Sequence, residues 1–152
     1  FKNEYGDMPF PVYHYTQLLV ELLEGGKLAL GHEVGKKVTY HDPCFLGKHN
    51  NIYDEPRHIL QSIPGIEFED LDRSRERSVC CEGGGGRMWL EEKIGERINQ
   101  TRFLQLEASG TSNVAVACPY CYSMLSDAQN ELDRENVVTY DVIELVAKSM
   151  EG

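Results

Sequence analysis

The chain has 152 residues, 41% of them hydrophobic and 26% charged, with a formal net charge of -10. That is the size of one ordinary domain with enough apolar residues for a core, which excludes global disorder. The acidity excludes a nucleic-acid-binding face and a polybasic membrane anchor, and no apolar run has the length of a transmembrane helix. The same acidity suits a soluble protein that docks on other proteins.

In chain order, the segment VYHYTQLLVELLEGGKL predicts a first helix starting near Tyr15 or Thr16. It carries Leu18, Leu19, Leu22 and Leu23 as its apolar stripe and stops at Gly25 and Gly26. KKVTYHDPC predicts a strand over Lys37 to His41 that ends in the turn signal Asp42-Pro43. Pro56 sits just inside a helix expected from Glu55 to Ser62, closed by Pro64-Gly65. Ile66 to Asp70 alternates as a strand, and LDRSRERS reads as loop. A long helix is expected from Met88 to Ala108, with Leu90, Ile94, Ile98, Thr101 and Leu104 along its inner side and Gly110 after its end. NVAVAC is a wholly apolar strand, the pattern of a strand buried on both faces of a parallel sheet. A helix from Tyr120 to Leu132 follows, then a strand over Val137 to Tyr140. Asp141 caps a last helix with Val142, Leu145, Val146 and Ser149 inward.

Strands alternating with helices give an α/β class: a single domain with a small parallel sheet flanked by helices. In such sheets ligands sit beyond the carboxyl ends of the strands. Cys44 follows one strand and Cys118 and Cys121 follow another, while Cys80-Cys81 precede the expected long helix. The three cysteine loops are therefore expected to converge at the C-terminal edge of the sheet.

Five cysteines, an odd number, leave one over in any disulfide scheme, and neighbours such as Cys80 and Cys81 rarely bond each other. The plain alternative is a set of free thiols in a reducing cytosol. Adjacent thiolates repel unless a positive centre lies beside them, and soft thiolates favour iron–sulfur clusters, zinc or Cu(I). A structural zinc takes four ligands, so five thiols suit a multi-iron cluster better. Gly83, Gly84, Gly85 and Gly86 would let backbone N–H groups approach such a core, and would lead into a helix whose positive end faces it. Arg87, with Lys48, Arg73, Arg75 and Arg77, could offset its charge. Against this, a glycine run is often only a flexible loop, an arginine-rich stretch is commonly solvated, and Trp89 reads as a core or lid residue. His41 and His49 flank Cys44 and could be ligands, although such histidines are more often structural.

The pattern Cys44, then CCEGGGG from Cys80, then CPYC from Cys118 resembles the cysteine-rich CCG domain family of heterodisulfide reductase catalytic subunits and glycolate oxidase iron–sulfur subunits. YHDPCFLGKHNNIYDEPR and GGGGRMW resemble its flanking segments. The resemblance implies that Cys44, Cys80, Cys81, Cys118 and Cys121 hold a noncubane 4Fe–4S cluster used for disulfide reduction or electron relay. It implies the C-terminal CCG copy of a longer iron–sulfur oxidoreductase, inactive without its other domains. Ferredoxin-like or flavoprotein partners would supply electrons, in the cytoplasm, with any membrane association through partner subunits. Glu82 replaces the glycine of CCG, and either points outward or delivers protons to a departing thiol. Two other readings stay open. One is a zinc-stabilised interaction module using four thiols. The other is a CPYC dithiol oxidoreductase, although no proline follows Pro119 to face the dithiol.

Overall fold

Helix α1 (Lys2–Tyr5) and helix α2 (Tyr15–Glu24) precede β1 (Lys36–Tyr40), α3 (Asp54–Ser62) and β2 (Ile66–Phe68). Then come α4 (Ile98–Glu107), β3 (Asn113–Val116), α5 (Pro119–Glu131), β4 (Val138–Asp141) and α6 (Val142–Glu151). This computed structural model describes residues 2–90 and 95–151. The strands form one sheet in the order β2-β1-β3-β4, every pair parallel.

Side-chain alternation splits the core into two layers. Val38, Tyr40, Ala115 and Ala117 pack on one face with Leu19 of α2, Ile59 and Leu60 of α3, and Val142, Leu145 and Val146 of α6. Val114 and Val116 pack on the other face with Phe103 and Leu106 of α4, and with Met124, Leu125 and Ala128 of α5. Full burial of each such aliphatic side chain contributes about 1.5–3 kcal/mol. β3 is buried along its whole length because it has helices on both sides, as its unbroken apolar run foretold.

The strand order places the site. From β1 the chain moves outward to β2, then returns to the other side of β1 for β3 and continues outward to β4. The direction reverses between β1 and β3, and a right-handed crossover on each side puts the helices on opposite faces there. A crevice opens at such a switch point, beyond the carboxyl ends of the strands. Cys44 lies after β1 and Cys118 after β3, so both flank it.

The expected long helix from Met88 to Ala108 is corrected. Gly84–Trp89 form a tight 3₁₀ segment with Gly85 and Gly86 at positive φ, Leu90 is extended, and α4 begins only at Ile98. Gly95 at φ 80 also breaks any continuous helix, and Ile94 lies outside the described residues. The inner face of α4 differs too: it is Asn99, Arg102, Phe103 and Leu106, while Leu90 and Leu104 face outward. Trp89 is 81% exposed and so is not a core residue. β2 ends at Phe68 rather than Asp70, whose carboxylate is drawn to Arg57. At α6, Asp141 Oδ1 accepts from the amide of Ile143 while Glu144 Oε2 accepts from the amide of Asp141, a reciprocal cap.

Candidate metal centre

The loop after β1 is fastened by Asp42. The pairing of β1 with β3 extends to the amide of His41, which donates to the carbonyl of Ala115. Asp42 then receives Arg57 on both carboxylate oxygens at 2.7 and 2.9 Å, and Arg57 also donates to Asp70 at 2.8 and 2.9 Å. The amide of Arg75 donates to Asp42 Oδ2, and Ser78 Oγ to the Asp42 carbonyl. Lys48 Nζ reaches the Ser78 carbonyl at 2.9 Å. The Cys44 loop and the segment entering Cys80-Cys81 are thereby locked together across 30 or more residues of sequence.

The thiols meet at this junction. Cys81 and Cys121 are buried with their sulfurs 3.1 Å apart, too far for a disulfide, and all five cysteines are free. The Cys121 thiol, 3.1 Å away, then the Cys80 thiol and the neighbouring His41 ring lower the Cys81 pKa far below that of an ordinary thiol. Among these thiols, the surroundings of Cys81 favour its thiolate. Its neighbours shift the other way: the bond to Cys81 raises Cys80, whose environment also includes Cys44, and bonds to Cys118 and Cys81 raise Cys121. Cys118 stands at the start of α5, where Pro119 fills the first helical position without wasting an amide. Its pKa is brought down to about 6 by the Cys121 thiol and, more weakly, by the amides of Cys121 and Tyr120. The helix end that faces thiols is thus that of α5.

His41 completes the buried group: a ring nitrogen of His41 and the sulfurs of Cys81 and Cys121 all lie within 4.8 Å of one another. Its Nδ1 accepts from Arg102 Nε at 3.1 Å, and its Nε2 is buried with no hydrogen-bond partner of its own. Burial lowers the His41 pKa, so the ring is neutral. Arg102 is fully buried, and burial likewise lowers its pKa, to about 10. The structure groups the thiols of Cys81 and Cys121 with the His41 ring, while Cys44 lies outside that group; soft thiols with a ring nitrogen fit an iron–sulfur cluster or zinc.

Glu82 lies 2% exposed beside this group but is turned from it. Its Oε2 accepts from the amide of Asn99 in the first turn of α4 and pairs with Arg97, and its Oε1 pairs with Arg87 at 3.4 Å. Its own amide faces the other way, onto Cys80 Sγ at 3.3 Å. Of the four glycines, Gly83 packs closely: a Cβ there would come 3.1 Å from Tyr120 Cβ and 3.3 Å from Met124 Cγ of α5. Gly84, Gly85 and Gly86 have open space at that position. Arg75 pairs with Asp54, and Arg77 donates to the Asp72 carbonyl. A cavity of about 360 Å³ opens at Cys118, walled by Tyr13, His14, Phe45, Leu46, Ile52 and Pro119.

Residues 38–126 match the family model of the cysteine-rich CCG domain. The chain belongs to the CCG cysteine-rich domain family. It is 47% identical over its full length to the probable iron-sulfur-binding oxidoreductase FadF of Bacillus subtilis, covering 22% of that protein. It is 42% identical over 99% of its length to the EtfAB:quinone oxidoreductase of Syntrophomonas wolfei, again 22% of that protein. It is 35% identical over 95% of its length to a subunit of the dihydromethanophenazine:CoB–CoM heterodisulfide reductase of Methanosarcina barkeri, 35% of that protein. The chain therefore spans about a fifth to a third of these relatives. Among the described residues, no helix is long and apolar enough to cross a membrane.

The CCG motifs named the cysteines but not the polar residues that surround them. Arg57 and Arg102 were passed over because an arginine in a helix normally faces water. One signal existed: Arg102 shares the spacing of Asn99, Phe103 and Leu106, so it had to fall on the buried side of α4.

Proposed function

We propose that the chain is the cluster-bearing domain of an iron–sulfur oxidoreductase of the heterodisulfide reductase type. Cys44, Cys80, Cys81, Cys118 and Cys121 would hold a noncubane 4Fe–4S cluster, fed by a ferredoxin-like or flavoprotein partner and used in disulfide reduction or electron relay. The observation that carries this reading is the thiol group itself: Cys81 and Cys121 with their sulfurs 3.1 Å apart against His41, and Cys80 and Cys118 in their electrostatic surroundings. When bound, the cluster would supply electrons singly to a substrate that needs a pair.

The chain's own residues do the rest. Cys80, Cys81 and Cys121 share protons that metal loading would release, since only thiolates ligate. The amide of Glu82 and the first turn of α5 direct N–H groups at Cys80 and Cys118, which favours their thiolates. Tyr13, Phe45, Leu46 and Ile52 line the cavity at Cys118 and give its approach largely apolar walls. Glu82 enters as a positioning residue: the bonds from Asn99, Arg87 and Arg97 hold its carboxylate on α4, away from a leaving thiol.

The test is anaerobic purification of the full-length protein with iron and sulfide analysis and EPR. Alanine at Cys81 or Cys121 should abolish one cluster's signal and its share of iron. Full iron and an unchanged spectrum in both variants would overturn the assignment. The grouping of His41 with Cys81 and Cys121 supports a second reading, zinc bound by these and a further thiol. Zinc at one per chain without sulfide would establish it. The lowered pKa of Cys118 supports the dithiol reading, but that reading gives no role to Cys81, whose sulfur lies against Cys121.

A further inference from the structure

Among the described residues, Arg102 has no carboxylate partner. Its Nε donates to His41 Nδ1, its Nη1 to the Arg73 carbonyl and Gln105 Oε1, and its Nη2 is buried without any partner. Asp42, whose charge also acts on Arg102, is committed to Arg57 and the amide of Arg75. A guanidinium with 0% exposure and no ion pair among these residues is costly, and buried charges are kept where something opposite compensates them. The thiols of Cys81 and Cys121, which would be thiolates once they ligate a metal, lie against His41, the ring to which Arg102 donates.

The hydrogen bond from Arg102 also decides the His41 tautomer. A guanidinium only donates, so Nδ1 must present its lone pair and the ring proton must sit on Nε2. Nε2 is buried without a hydrogen-bond partner, in a ring that lies against the thiols of Cys81 and Cys121. An N–H at that position can donate to sulfur but cannot ligate a metal.

We propose that Arg102, acting through His41, sets the reduction potential of this centre: Arg102 fixes the ring so that Nε2–H donates to the thiolate group, and its charge compensates that group. Arg102 is a positioning residue, and His41 the donor. Donors to cluster sulfurs and nearby positive charge raise the potential. The inference rests on the iron–sulfur reading above.

The test is an EPR-monitored redox titration of the anaerobically purified full-length protein, with iron and sulfide measured on each sample. R102M should keep its iron and lower the reduced-to-oxidised ratio at a fixed potential at least tenfold, which is about 59 mV for one electron. H41F should shift the ratio in the same direction, and R102M/H41F together should shift it about as far as R102M alone, less than the two single shifts added, since the donor is lost only once. H41Q, which retains an N–H, should move it less. R102M should also unfold no earlier than the parent protein, which a structural ion-pair role would not allow. Wild-type potential in iron-replete R102M and H41F would overturn the inference. If R102M does not fold, R102Q, which drops the charge, and H41F, which drops the donor, carry the test, and unchanged potentials in both overturn it. Parent protein without iron and sulfide would instead defeat the iron–sulfur reading, a failure seen in the metal analysis before any titration.

Discussion

Glu82 offers the most discriminating perturbation, because two opposed effects meet at one residue. Its carboxylate is buried and accepts from the Asn99 amide, which satisfies an otherwise unpaired donor at the start of α4. A hydrogen bond to a charged acceptor contributes about 1.5–3 kcal/mol. Yet Glu82 sits at φ 73, a left-handed conformation that costs a non-glycine residue about 1–2 kcal/mol. E82Q keeps an oxygen for Asn99 and loses only the charge, so it should cost about 1 kcal/mol, in the range of helix-dipole effects. E82A loses the acceptor and keeps the strain, for about 2–3 kcal/mol. E82G loses the acceptor but relieves the strain, so it should recover about 1 kcal/mol relative to E82A. Arg97 retains Glu131 at 2.6 Å, and half-exposed Arg87 reaches water, so neither is stranded. Urea unfolding followed by circular dichroism should rank the proteins parent, E82Q, E82G, E82A. Equal midpoints for E82G and E82A would refute the strain argument. Parent stability in E82A would refute the cap. E82Q should keep its iron, its sulfide and its reductive turnover; lost turnover at unchanged stability would point to proton delivery instead.

Three further outcomes follow from the same geometry. G83A should destabilise by about 1–3 kcal/mol and reduce iron content, because its Cβ presses on α5 behind Cys121, whereas G84A should stay within about 0.5 kcal/mol; urea midpoints and iron analysis check both. R57M should cost about 3–5 kcal/mol in unfolding free energy, since Asp42 and Asp70 would lose the cation they share. His14 caps α2 through Nδ1, which accepts from the Thr16 amide, and burial lowers its pKa below the ordinary 6.5. The unfolded chain therefore binds the proton more readily: the cap's contribution is complete above pH 6.5 and is lost as pH falls through the lowered folded value. The melting temperature should drop over that window, and H14N, whose side-chain oxygen caps without titrating, should flatten the drop.

The sequence by itself determined the class of the fold and the family to which the cysteine motifs belong. The apolar run of β3, the cap at Asp141 and the turns at Gly25 and Pro64 are local signals, so α2, α3, α5, α6 and the parallel sheet were legible from period and punctuation. Spacing placed Cys44 and Cys118 at strand ends, and the strand order then set them at the switch between β1 and β3. The stretch from Met88 to Ile98 was misread because apolar residues at helical spacing do not reveal that positive-φ glycines interrupt them. What surrounds the thiols was decided only in three dimensions. Arg57 meets Asp42 from fifteen residues away, Arg102 meets His41 from sixty-one, and Glu82 finds α4 rather than the cysteines beside it. A side chain's charge is written in the sequence, but which partner compensates it depends on what burial leaves within reach.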